Sequence, residues 1–98
     1  MKANIDPYSD GGTPFHIACK KGHLEVVKLL IQNKANINTL DKQGETPFHY
    51  ACDMGHLEIV KILIQVKANI QTQNHYGFSP LHFVCEEGNL EIVETLIQ

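Results

Sequence analysis

Gly44-Glu45-Thr46-Pro47-Phe48-His49-Tyr50-Ala51-Cys52, continuing through Gly55-His56-Leu57-Glu58-Ile59-Val60 to Leu63, is the stretch whose reading decides the fold. Its first half has a forerunner in Gly11-Gly12-Thr13-Pro14-Phe15-His16 and a successor in Gly77-Phe78-Ser79-Pro80-Leu81-His82, 33 residues away on each side. The same step carries Gly22 to Gly55 and Gly88, Leu24 to Leu57 and Leu90, Glu25 to Glu58 and Glu91, and Val27 to Val60 and Val93. A unit this small cannot bury its apolar side alone, so the period specifies a solenoid in which neighbours supply one another's core.

Each unit reads as two helices. Thr13, Thr46 and Ser79 suit the N-cap, where a hydroxyl accepts a free amide of the first turn, and Pro14, Pro47 and Pro80 suit the next position, where a missing N–H is no loss. A short helix from Pro14 to about Lys21 places Phe15, Ala18 and Cys19 on one apolar side, and Gly22 supplies the turn. A second helix from about Leu24 to Gln32 has Leu24, Val27, Leu30 and Ile31 as its stripe. Gly55 and Gly88 repeat the turn, and the polar segments 34–44 and 67–77 are turn-bearing connectors.

On these residues the chain resembles the ankyrin repeat family over nearly its whole length. The resemblance implies an all-α solenoid of helix-turn-helix repeats with projecting hairpin-like loops, whose loop tips and first helices line a concave, protein-binding face. It also implies that His16, His49 and His82 tie the loop backbone together by hydrogen bonds. The expected organisation is a single domain over 1–98, with 1–6 ending a preceding connector and units at about 7–38, 39–71 and a truncated 72–98. Lys2-Ala3-Asn4-Ile5-Asp6 resembles Lys34-Ala35-Asn36-Ile37-Asn38 but stands 32 residues away, so the first connector is one residue shorter and its tip should differ in shape. Apolar stripe residues persist at both edges, which points to an excerpt of a longer array or to end-to-end contacts between copies. The plentiful Lys, Asn and Ile, without Arg or Trp, are similar to the usage of long protist ankyrin arrays.

Charge and composition narrow the function. The net charge is -3 and every basic residue is Lys, so neither a phosphate backbone nor guanine meets a guanidinium fork; nucleic acid is not an expected partner. No apolar run approaches the roughly 20 residues of a membrane helix, so membrane insertion is not expected and the expected location is intracellular and cytoplasmic. Three cysteines at one regular interval fit reduced thiols.

Residues that look chemical recur as scaffold. His16, His49 and His82 come one per repeat, about 10 Å apart for packed helices, whereas zinc gathers its ligands near 2 Å. Cys19 with His23 and Cys52 with His56 are separated by helix-ending glycines, and the third unit has Asn89 in place of the His. A hydrolase site would converge once and break the repeat, and Gly11-Gly12 lacks the Lys-Ser/Thr of a phosphate loop. No catalytic residue, metal or cofactor is expected. The scaffold set is Thr13, Pro14, His16, Gly22, Thr46, Pro47, His49, Gly55, Ser79, Pro80, His82 and Gly88.

Positions that escape the repeat are the better binding candidates. At the loop tips they are Ser9, Asp10 and Gly12, then Lys42, Gln43 and Glu45, then His75, Tyr76 and Phe78. At the ends of the first helices they are Lys20 and Lys21, then Asp53 and Met54, then Glu86 and Glu87. Tyr76 and Phe78 offer aromatic area on a loop, or in the case of Phe78 inward packing, and the lysine-to-glutamate gradient would orient an elongated partner. The expected function is a non-catalytic protein-interaction module, scaffolding or targeting a larger ankyrin protein, with an unidentified protein as partner. A structural or self-associating segment and an accessory domain of a larger enzyme are the alternatives.

Overall fold

Where Thr or Ser precedes Pro, a helix begins in every repeat. The computed structural model describes residues 3–98 and contains six helices in three pairs: α1 (Pro14–Lys21) with α2 (Leu24–Gln32), α3 (Pro47–Asp53) with α4 (Leu57–Gln65), and α5 (Pro80–Glu87) with α6 (Leu90–Ile97). Residues 1 and 2, at the start of the expected leading connector, lie outside the described residues. The helices are too short to hold in isolation and depend on stacking.

The short helices α1, α3 and α5 pack closely side by side, whereas α2, α4 and α6 touch one another far less. Close approach on one side and looser approach on the other bends the stack, with the short helices and their preceding loops on the inside. The result is an elongated body of 43 × 26 × 20 Å.

The core runs along the stack as one column, with Phe15, Cys19, Val27, Phe48, Ala51, Cys52, Val60, Leu63 and Val84 all buried. Val84, where the other repeats have Ala18 and Ala51, is itself fully buried, so the added volume is taken up within the helix pair. Burial is a property of neighbours as much as of sequence position. Phe15 and Phe48 are buried, but Leu81 at the same register is 40% exposed; Cys19 and Cys52 are buried, but Cys85 is exposed. The expectation of packed thiols therefore holds for two cysteines and is corrected for Cys85, which no later repeat covers.

Two backbone features have local causes. Gly22 lies at φ +79°, and a Cβ there would fall 2.6 Å from the His56 ring of the next repeat, so both conformation and space require glycine. Lys34 and Lys67 close the second helices with φ of 65° and 66°, a left-handed conformation unfavourable to a residue with a Cβ. The turn is held by Ala35 N–H to the Leu30 carbonyl and Ala68 N–H to the Leu63 carbonyl, at 3.0 and 2.9 Å.

Replacing Lys67 with Gly should relieve that strain by more than it adds to unfolded-chain entropy. A net gain of roughly 0.5–1 kcal/mol is expected, measured as a higher urea midpoint at unchanged slope. In thiol labelling of the native chain, Cys85 should react rapidly, with Cys19 and Cys52 reacting only at the rate of unfolding. Burial pushes both of those thiols up to about 12, Cys52 with a further push from Asp53.

Candidate interaction face

The periodic histidines are brackets between a cap and the following loop. The backbone N–H of Thr13 donates to His16 Nδ1 at 3.1 Å, that of Thr46 to His49 Nδ1 at 3.0 Å, and that of Ser79 to His82 Nδ1 at 2.9 Å. A backbone N–H only donates, so Nδ1 is the acceptor and Nε2 carries the proton. His16 Nε2 then donates to the Glu45 carbonyl at 2.9 Å, and His49 Nε2 to the Phe78 carbonyl at 3.1 Å. At Thr46 the hydroxyl also accepts the His49 amide at 3.1 Å, while all three cap hydroxyls lie within 3.2 Å of the ring Nδ1.

Burial lowers the pKa of both His16 and His49, against a smaller upward pull from the carbonyls that accept their Nε2 protons. Both rings are neutral near pH 7. The 3.8 Å approach of Glu45 Oε1 to His49 Nδ1 is therefore not an ion pair, because that nitrogen is already an acceptor. His82 keeps its bond to Ser79 but its ring is exposed. Among the described residues, no three His, Cys, Asp or Glu side chains converge as a metal site would require.

The loops are held by a second device that the repeat pattern did not single out. Asp41 Oδ1 accepts the amides of Gln43 and Glu45 at 3.0 and 2.9 Å, and Asn74 Oδ1 accepts those of Tyr76 and Phe78 at 2.9 and 3.0 Å. Asp41 and Asn74 are both buried. Their signal was present in the sequence: each stands three residues before Gly44 or Gly77, the arrangement of a side chain that hydrogen-bonds its own turn. The first loop is tighter, with Ser9 and Gly12 exchanging backbone hydrogen bonds of 3.0 and 2.9 Å, where the second closes between Asp41 and Glu45. Its shape differs as the missing residue implied. Adjacent tips are joined by Lys42 N–H to the Asp10 carbonyl and His75 N–H to the Gln43 carbonyl, at 3.3 and 3.0 Å.

The structure divides the binding candidates. Lys20, Lys21, Lys42, Gln43, Met54, His75, Tyr76, Glu86 and Glu87 are exposed. Lys42 Nζ comes within 3.8 Å of Asp10, both side chains largely solvated, so that pair adds little. Glu45 turns inward, receiving the Asn74 side-chain amide at 3.3 Å. Burial lifts its carboxyl above the usual carboxylate range, and Asp41 and Asp53 lift it further against that hydrogen bond. Asp53 is half-buried, and Phe78 leaves 45% of its surface exposed while its ring packs on His82 and Phe83.

Tyr50 went unnoticed because it stands at a position that varies, as Ile17, Tyr50 and Phe83, inside otherwise regular helices. Its hydroxyl donates to Asp41, its ring meets His16 edge-on at 6.0 Å, and Lys20 Nζ sits 5.4 Å from its centroid. Burial and the Asp41 carboxylate push its hydroxyl pKa upward. His56 joins the repeats at the turn, Nε2 donating to the Lys20 carbonyl at 3.0 Å. Its counterpart Asn89 instead caps α6, Oδ1 accepting the Ile92 amide at 3.1 Å.

The brackets make stability pH-dependent with a definite sign. The folded pKa values of His16 and His49 lie below the ordinary 6.5, so their contribution is complete above about pH 6.5 and is lost as pH falls through the folded values. Glu45, raised in the fold, acts oppositely: its contribution is complete below its unfolded value and is lost as pH rises through the folded one. The urea midpoint should drop between pH 7.5 and 5.5, about the unperturbed imidazole value. A His16→Gln/His49→Gln variant should show a much shallower drop, since Gln titrates nowhere in that range.

With the geometry described, the chain can be set beside known proteins. The profile of ankyrin repeats in three copies matches residues 1–74, and that of ankyrin repeats in many copies matches residues 53–97. The probable 26S proteasome regulatory subunit p28 of Saccharomyces cerevisiae is 51% identical over 45 residues, which are 42% of this chain and 20% of that relative. The shared stretch thus spans about one fifth of the curated relative's length. Repeats of this kind are generally protein-interaction modules, and no helix among the described residues is long and apolar enough to cross a membrane. Matched over most of its length by that profile, and folded as its stacked helix pairs, the chain belongs to the ankyrin repeat family.

Proposed function

We propose that this chain is a non-catalytic protein-binding segment that scaffolds or targets a larger ankyrin protein, and that it meets its partner along the inner face. The observation that carries this is Tyr76, 76% exposed on a loop whose backbone is pinned by Asn74 Oδ1. An aromatic ring held out to solvent on a fixed backbone loses little entropy on binding and is the kind of anchor that dominates interface energetics. Lys20 and Lys21 at one end and Glu86 and Glu87 at the other give the face opposite signs, which favours one orientation of an elongated partner. The curated relative is by its name a regulatory subunit of an assembly. A role in an assembly is in keeping with that, and the short shared stretch transfers no particular partner.

A structural or self-associating role is the second reading. It is favoured by Leu29, Leu90 and Ile97, each more than half exposed on the second-rank helices. Sedimentation over a concentration series separates the two, since a monomer at every concentration removes self-association as the function.

For the primary reading, a partner captured by the intact array should be displaced by this chain in competition. Tyr76→Ala should weaken that binding by about 2 kcal/mol, roughly 30-fold, with helical signal and urea midpoint unchanged. A partner that binds the Tyr76→Ala chain as tightly as the native one removes the anchor.

A further inference from the structure

The first step of the stack shows how this chain treats a cation. Lys20 ends α1, and its Nζ lies 5.4 Å from the centroid of the Tyr50 ring on α3, within the range at which an ammonium is attracted to an aromatic face. Lys20 aligns with Asp53 and Glu86 across the repeats, and Tyr50 aligns with Phe83. The step from the first repeat to the second is reproduced in the next. His16 meets Tyr50 edge-on at 6.0 Å and 75°, and His49 meets Phe83 at 5.8 Å and 77°. By that register Asp53 stands to Phe83 as Lys20 stands to Tyr50.

The second step therefore has the aromatic ring without the cation. Among the described residues no ammonium lies over Phe83; a carboxylate takes the equivalent position, and a second one, Glu86, follows on α5. Phe78, His82, Phe83 and Glu86 line a hollow of about 170 Å³ open to solvent. Phe78 forms its aromatic wall, tilted 53° to Phe83 at 6.1 Å and still 45% exposed. From residue 68 to residue 98 there is no Lys or Arg, only Glu86, Glu87, Glu91 and Glu94 as charged groups. An aromatic recess with carboxylates at its mouth, in a cation-free half of the chain, is complementary to a basic side chain.

We propose that this recess receives the guanidinium or ammonium of an arginine or lysine from the partner protein, stacked on Phe83 and Phe78 and paired with Glu86 and Asp53. The proposal rests on the reading that the inner face binds protein, and it names the chemistry that the glutamate-bearing end recognises. Arginine is the better fit, because a planar cation stacks on a ring while offering N–H donors to a carboxylate.

The test uses the 98-residue chain, isotopically labelled, titrated with N-acetyl-arginine methylamide and, in parallel, with the uncharged citrulline analogue. Arginine should shift the amides of Phe78, Phe83 and Glu86 saturably, in the millimolar range, and less so at high salt; citrulline should not. Glu86→Gln and Asp53→Asn should each weaken the arginine response about two- to fivefold. Asp53→Lys, which puts an ammonium where Lys20 stands one repeat earlier, should occupy Phe83 from within and abolish the response. Unchanged shifts outside this region show that each variant is folded. Equal responses to arginine and citrulline, or full binding by the Asp53→Lys chain, overturn the proposal. If the arginine probe gives no response while Tyr76→Ala still impairs partner binding, the recess is wrong and the interaction face stands.

Discussion

One imidazole orientation holds the stack together. Because the cap's backbone N–H occupies Nδ1 of His16 and His49, the proton must reside on Nε2, and the only direction left for that proton is the carbonyl of the next repeat's loop. Local capping and tertiary stacking are thus made by the same ring, and neither bond survives protonation unchanged. A Lys or Gln at that position could donate or accept at one place, but a neutral imidazole does both across a rigid, planar spacer. The loops inherit their placement from this link, and the inner face inherits its shape from the loops.

How much of this was legible in the sequence depends on whether the cause was local. The helix starts at Pro14, Pro47 and Pro80 and the glycine turns follow from cap and φ preferences that operate within a few residues, and the 33-residue period identifies them three times over. The roles of Asp41 and Asn74 were also local, but they are different residue types at equivalent positions, so a search for identity passed over two oxygens doing one job. Tyr50 was hidden for the opposite reason, since its partners Asp41, His16 and Lys20 come from three other elements. Glu45 sits in a loop and reads as solvated, yet the side chain is drawn in by Asn74 from the neighbouring repeat.

The same distinction separates frame from face. Positions constrained by both their own helix and the next repeat, such as Phe48, Cys52 and Leu63, are buried and repeat in kind. Positions constrained on one side only, such as Lys20, Met54, Tyr76 and Glu87, are free to differ without disturbing the brackets. A fold of this type can change what it recognises while its scaffold stays fixed, because recognition and cohesion use different atoms. The charge gradient is the visible trace of that freedom.

The brackets at His16 and His49 share one further property: each spans 29 residues, as does the Asn74 to Glu45 contact, and the Lys20 to His56 tie spans 36. All of them join one repeat to its immediate neighbour. Closing such a loop has the same entropic cost whether it is the first or the tenth in an array, because loop length, not array length, sets it. Under tension, such a molecule has no long-range clasp whose failure would release the whole. It would yield repeat by repeat and recoil the same way, behaving as a string of like springs in series.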